Sequence, residues 1–134
     1  MICYKSFGAE LLPQARNLYE KEGWRAYLHN EDMLRAAFED SLWIYGAFED
    51  DRLIGFVRCV GDGQHILLVQ DLLVDPDYRG QKIGSALFQA AWERYTHVRM
   101  FMVVTDIAEP GANRFYQRFG MKPLDKGGMV GYFR

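Results

Sequence analysis

Cysteine is scarce in this chain. The two present, Cys3 and Cys59, show no CxxC spacing, which excludes a disulfide framework and a cysteine-based zinc site and fits free thiols in a reducing compartment. The three histidines, His29, His65 and His97, show no ligand spacing either, so no metal is expected. Proline (4) and glycine (13) stay near ordinary usage, excluding collagen-like and low-complexity chains. Basic residues are not in excess: 16 Lys and Arg face 18 Asp and Glu, for a net charge of −2. That balance gives no footprint for nucleic acid or an anionic membrane. No apolar run approaches the roughly 18–20 residues of a bilayer span. The opening Met1-Ile2-Cys3-Tyr4-Lys5 also lacks the apolar stretch of a secretory signal. These absences point to a cytoplasmic protein with neither nucleic acid nor membrane as partner.

What is present is ordinary globular composition, 49% hydrophobic and 25% charged over 134 residues. A chain of that size buries roughly 65–70% of its unfolded surface and needs no staples. Without repeats, charge runs or linkers, residues 1–134 read as one domain. A short strand at Ile2–Lys5 opens it. A helix over 10–22 follows, with Leu11, Ala15, Leu18 and Glu22 at helical spacing and Gly23 as its stop. Asn30 is the expected N-cap of a second helix over 31–41, with Glu31 and Asp32 at its positive end. The period then changes. Trp43–Phe48, Leu53–Val60 and Ile66–Val74 are apolar runs separated by Asp50-Asp51 and Gly61-Asp62-Gly63, which predicts an antiparallel meander. A helix over 83–95, a strand at Val98–Thr105, a helix over 110–119 and a strand at Gly128–Phe133 complete the order β-α-α-β-β-β-α-β-α-β. The fold class is α+β, helices on a mixed sheet.

The segment from Val74 to Leu87, VDPDYRGQKIGSAL, carries the most information. Pro76 stops the strand, and a turn with Gly80 and Gly84 leads directly into a helix. Backbone N–H groups at a helix start receive an anion, helped by the helix dipole, and Arg79 and Lys82 add positive charge there. A plain turn with solvated basic residues is an equal reading of these residues alone. No Gly-Lys-Ser/Thr follows, so the turn is not a Walker A loop. The preceding meander also excludes a Rossmann fingerprint.

This turn resembles the pyrophosphate loop of the GNAT superfamily of acetyl-CoA-dependent N-acetyltransferases, whose pattern is Gln/Arg-x-x-Gly-x-Gly/Ala. Arg79 and Gly84 match it, and Lys82 replaces the first glycine. Leu53-Ile54-Gly55-Phe56-Val57-Arg58 is similar to the family's third strand. The segment Glu109–Met121, EPGANRFYQRFGM, is similar to its last helix. The resemblance spans nearly the whole chain. It implies a mostly antiparallel central sheet with helices on both faces, and direct transfer of an acetyl group from acetyl-CoA to a primary amine in a ternary complex. The acceptor would be a small-molecule or peptide amine. A CoA-binding sensor without turnover, or a transferase of a longer acyl group, is the alternative.

The resemblance also implies roles. The backbone of Leu72, Leu73 and Val74 would pair with the pantetheine arm as an added strand, and Arg79, Gly80, Gln81, Lys82, Ile83, Gly84 and Ser85 would hold the pyrophosphate. Asn113 would reach the pantetheine arm or be a plain surface residue. Tyr116 shares a helix face with Ala112, Phe115 and Phe119. It would protonate the departing thiolate or serve as a core aromatic with its hydroxyl at the edge. Asp71 interrupts an otherwise buried strand, and burying an unpaired carboxylate costs several kcal/mol. It would be the base, directly or through water, or a structural acid paired with Arg58. Trp24, Tyr27 and His29 would line the acceptor side, where aromatic walls suit a cationic amine. Family members are often dimers, and the C-terminal strand (Met129–Phe133) offers an edge for a homodimer.

Overall fold

The computed structural model describes residues 1–134. Their backbone contacts gather into two compact units, Met1–Val103 and Val104–Arg134.

The first unit contains β1 (Ile2–Ser6), α1 (Leu12–Glu22), α2 (Glu31–Glu39), β2 (Trp43–Glu49), β3 (Arg52–Gly61), β4 (Ile66–Val74), α3 (Ile83–Arg94) and β5 (Met100–Val103). The strands form one sheet in the order β1-β2-β3-β4-β5. Neighbours are antiparallel except β4 and β5, which run parallel. This is the mixed, mostly antiparallel sheet expected from the meander and the family resemblance.

Pro13 lies in the first turn of α1, where its missing N–H costs nothing, and Gly23 ends the helix at φ +78°. The buried face is Leu12, Ala15, Leu18 and Tyr19; Ala15 and Leu18 belong to the predicted stripe, while Leu12 and Tyr19 take the places given to Leu11 and Glu22. Leu11 instead belongs to a 3-10 turn at Ala9–Leu11. Asn30 caps α2 as expected, its Oδ1 accepting the Met33 N–H at 3.0 Å. Both helices cover one face of the sheet, where Tyr19, Leu34 and Phe38 close over Phe48, Phe56 and Leu73. On the other face Phe88 of α3 meets Phe101 edge-on, with ring centroids 5.8 Å apart.

β4 carries a bulge. One step along β3, from Arg58 to Cys59, spans two along β4, from Asp71 to Val69. The extra residue is Gln70, and it reverses which side the strand buries. Leu73 and Asp71 share the face of Phe56 and Arg58, their register partners, while Leu67 lies beside Phe101.

In the second unit α4 spans Pro110–Arg118. Ala112, Phe115, Tyr116 and Phe119 are half-buried while Gly111, Arg114, Gln117 and Arg118 are exposed, the face their spacing predicts. Gly120, at φ +87°, turns the chain away. The expected strand over 128–133 does not form. Gly128 reverses the backbone at φ +76°, and the Met129 N–H bonds back to the Leu124 carbonyl. Val130, Tyr132 and Phe133 stay exposed. A short apolar and aromatic run makes a strand only when a neighbour takes its backbone hydrogen bonds, and the sheet has no strand beyond β5. The edge expected to serve a homodimer is therefore not a strand in the single chain. No helix is long and apolar enough to cross a membrane.

Candidate active site

The parallel pairing of β5 ends at Val103, opposite Val69, so Asp71–Val74 has a strand neighbour on the β3 side alone. The Asp75 N–H bonds to the Ile54 carbonyl across β3. Alternation along the strand therefore turns the backbone groups of Leu72 and Val74 toward the β5 side. Their N–H and C=O groups offer an extended ligand the pairing that a further strand would take.

From there the chain enters a 3-10 turn at Pro76–Tyr78 and then α3. Gly80 adopts φ +82° and Lys82, the N-cap of α3, φ +61°. A Cβ on Gly84 would meet Val74 Cγ2 at 3.7 Å, an ordinary contact, so one added carbon fits there between α3 and the end of β4. Gln81 and Lys82 are exposed and Ser85 is half-exposed, whereas Ile83 is buried and anchors the turn. The Arg79 guanidinium, predicted at the phosphate site, pairs with Glu22 at the end of α1.

Asp75 fixes the turn to the sheet. It is 2% exposed; Oδ2 receives Lys21 Nζ at 2.7 Å and Oδ1 caps the Asp77 N–H at 2.9 Å. Burial pushes its pKa up, but the hydrogen bonds from Lys21 and the Asp77 amide outweigh burial and hold it below the ordinary carboxylate value. The unfolded chain therefore takes up this proton more readily. The stabilisation from Asp75 is present above about pH 4 and is lost as pH falls through the lower folded value. The melting temperature between pH 6 and pH 2 is expected to fall more steeply in the wild type than in Lys21→Met. Parallel curves would contradict this linkage.

Asp71 is 1% exposed and has three partners. Its Oδ2 receives Arg58 Nε at 2.7 Å and the Tyr19 hydroxyl at 2.8 Å, and its Oδ1 receives the Tyr27 hydroxyl at 2.6 Å. The Arg58 guanidinium continues to Ser41 Oγ at 3.1 Å and lies 5.5 Å from the Phe38 ring centroid. Of the predicted acceptor-side residues, Tyr27 stacks on Tyr19 at 4.4 Å and Trp24 packs beside both. His29 is exposed just past the 3-10 turn at Arg25–Leu28 that carries Tyr27. The predicted Asp71–Arg58 ion pair is thus present, and Tyr27 is bonded to the same carboxylate. Tyr19 was not singled out from the sequence. The signal available was a tyrosine on the buried stripe of a helix, since a buried phenol hydroxyl needs a partner.

In the second unit, burial pushes the Tyr116 pKa up to about 12. Asn113 gives its side-chain N–H groups to the Glu109 carbonyl at 2.7 Å and the Asp106 carbonyl at 3.1 Å. Its amide therefore holds the loop before α4, and its Oδ1 is the atom suited to an external donor.

The model of the Acetyltransferase (GNAT) family matches residues 5–121. The chain belongs to that family. It is 30% identical over 104 residues to an uncharacterized N-acetyltransferase of Prochlorococcus marinus, covering 75% of this chain and 57% of that protein. The chain spans from about a third to just over half of the length of the curated relatives it matches. A GNAT-family acetyltransferase of Streptococcus pneumoniae superposes with a TM-score of 0.85 at 32% identity, covering 100% of this chain and 97% of that one. The PaiA N-acetyltransferase of Thermoplasma acidophilum, solved in complex with coenzyme A, shares the fold with a TM-score of 0.61 at 20% identity, over 88% of each chain. In this GNAT chain Lys82 stands where the family pattern has glycine, in a backbone conformation that glycine adopts without strain.

Proposed function

We propose that this chain is an N-acetyltransferase that moves the acetyl group of acetyl-CoA directly to a primary amine within a ternary complex, and that both compact units belong to one catalytic domain. The observation that carries the reading is the backbone turn Arg79–Ser85, leading into α3 immediately beyond a β4 segment whose Leu72 and Val74 backbone groups face the β5 side. The family match over residues 5–121, which includes parts of both units, supports it.

In this reading the pantetheine amides pair with Leu72 and Val74, with Leu73 holding the strand between them. The pyrophosphate rests on the N–H groups of Gln81 to Ser85 at the positive end of the α3 dipole. Gly80 supplies the turn, Lys82 and Arg79 the charge. Arg79 reaches the phosphates by exchanging Glu22 for them, and Asn113 Oδ1 accepts from the pantetheine arm. Tyr116 protonates the departing thiolate. Trp24, Tyr27 and His29 face a small-molecule or peptide amine.

Acetyl-CoA at about 100-fold over its dissociation constant is expected to stabilise the fold by roughly 2.7 kcal/mol, several degrees in melting temperature. Gly84→Val puts a Cβ in ordinary contact with Val74 Cγ2 and carries two further methyl groups beside the turn. It is expected to keep the apo melting temperature and lose the shift. A wild-type melting curve unmoved by acetyl-CoA would refute the acetyltransferase reading, and thiol release with a panel of primary amines separates turnover from mere binding.

A further inference from the structure

The buried Asp71 has one oxygen committed to structure and one that leads outward. Oδ2 is taken by Arg58 and Tyr19, whereas Oδ1 receives only the Tyr27 hydroxyl, at 2.6 Å. With 1% of its surface exposed, Asp71 is out of reach of an acceptor amine. Tyr27 is half-buried. Its hydroxyl oxygen also accepts from Gln70 Nε2 at 3.0 Å, and Gln70 is the exposed bulge residue of β4, next to the last residue that β5 pairs. The phenol oxygen is therefore the outer end of a two-member chain, set where the strands part and the thioester would lie.

Resting on the acetyl-transfer reading, we propose that Tyr27 is a catalytic residue that relays the proton of the acceptor ammonium to Asp71. The ammonium N–H bond breaks and its proton joins the Tyr27 oxygen. The original Tyr27 proton passes along the 2.6 Å hydrogen bond to Asp71 Oδ1. A cationic amine and a carboxylate become a neutral amine and a carboxylic acid, while Tyr27 begins and ends as a phenol. The amine's lone pair is then free to attack the thioester carbon.

The groups around the relay suit it. Tyr27 faces Asp71 and Gln70 on β4, Arg58 on β3, Tyr19 on α1 and Trp24 at the start of its own turn. Burial, the Asp71 charge and the hydrogen bond to Asp71 raise the Tyr27 pKa despite opposing effects from Gln70 and Arg58. A free phenolate is therefore disfavoured, and both protons must move together. Arg58 and Tyr19 keep Oδ2 bonded throughout, so the incoming proton has one place to go.

The test compares wild type, Tyr27→Phe and Asp71→Asn, each first checked for a melting shift with acetyl-CoA. Transfer is then measured to benzylamine, which is protonated at pH 7.5, and to 2,2,2-trifluoroethylamine, which is neutral there. Tyr27→Phe is expected to lower kcat/KM for benzylamine by about 10²-fold, to lose little with trifluoroethylamine, and to recover as pH rises toward the benzylamine pKa. An equal loss on both amines at every pH would overturn the relay while leaving acetyl transfer standing. Absence of a wild-type acetyl-CoA shift, or of transfer to either amine, would overturn both. If neither variant folds, the proton inventory of the wild type in mixed light and heavy water decides. A curved inventory supports two protons in flight, and a linear one overturns the relay.

Discussion

Arg58→Met is expected to lower stability by about 3–5 kcal/mol, a fall of roughly 10–20 °C in melting temperature. Arg58 is 4% exposed and Asp71 1%. Removing the guanidinium leaves a carboxylate in an apolar sheet with only two phenol donors, Tyr19 and Tyr27, to offset its charge. Methionine fills similar space against Phe38 but supplies neither charge nor a donor to Ser41. A buried pair is costly to break from one side and far cheaper to remove whole. Arg58→Met combined with Asp71→Asn is therefore expected to regain much of the loss, because the neutral amide needs no counter-charge: its oxygen accepts one tyrosine hydroxyl and its N–H donates to the other phenol oxygen. Melting curves of the two single variants and the double variant give the coupling. Additive losses would show that the two charges do not depend on each other.

That pair also shows what the sequence makes legible and where it stops. The apolar runs of β2, β3 and β4 between their turns declared the strands, and Asn30 and Gly23 marked helix ends by their chemistry. Gln70-Asp71 was visible as an interruption of a buried strand. That Gln70 is a bulge, and that it turns Asp71 toward α1, depends on the β3 register, which no local pattern specifies. The partners of Asp71 lie 44 and 52 positions away on elements that only packing brings to it. Arg58 was foreseeable because it stands on the adjacent strand. The C-terminal residues erred the other way: Met129–Phe133 are apolar and aromatic like a strand, but strand identity belongs to a pair, and there Gly128 bends the chain instead.

Tyr116→Phe is expected to lower kcat by about 10²-fold or more with little change in acetyl-CoA affinity, if Tyr116 is the acid of the transfer step. The substitution keeps the ring, so its edge-on packing with Phe115 at 5.2 Å and the half-buried face of α4 survive. Only the hydroxyl is lost. Burial pushes its pKa up to about 12, which has two consequences. The phenol carries its proton at every working pH, so this residue imposes no decline in kcat as pH rises to about 10. It also holds that proton more tightly than a free thiol near 8.5 holds its own. Its contribution is therefore greatest as negative charge gathers on the sulfur, when a hydrogen bond from the phenol stabilises the departing thiolate and the proton follows as the carbon–sulfur bond parts. A poorer leaving group needs that help more. The loss in Tyr116→Phe is expected to shrink when an acyl donor with a more acidic thiol replaces acetyl-CoA, measured in single turnovers so that product release does not mask the chemistry. A loss of the same size with every thiol would mean that Tyr116 shapes the α4 face and takes no part in the proton transfer.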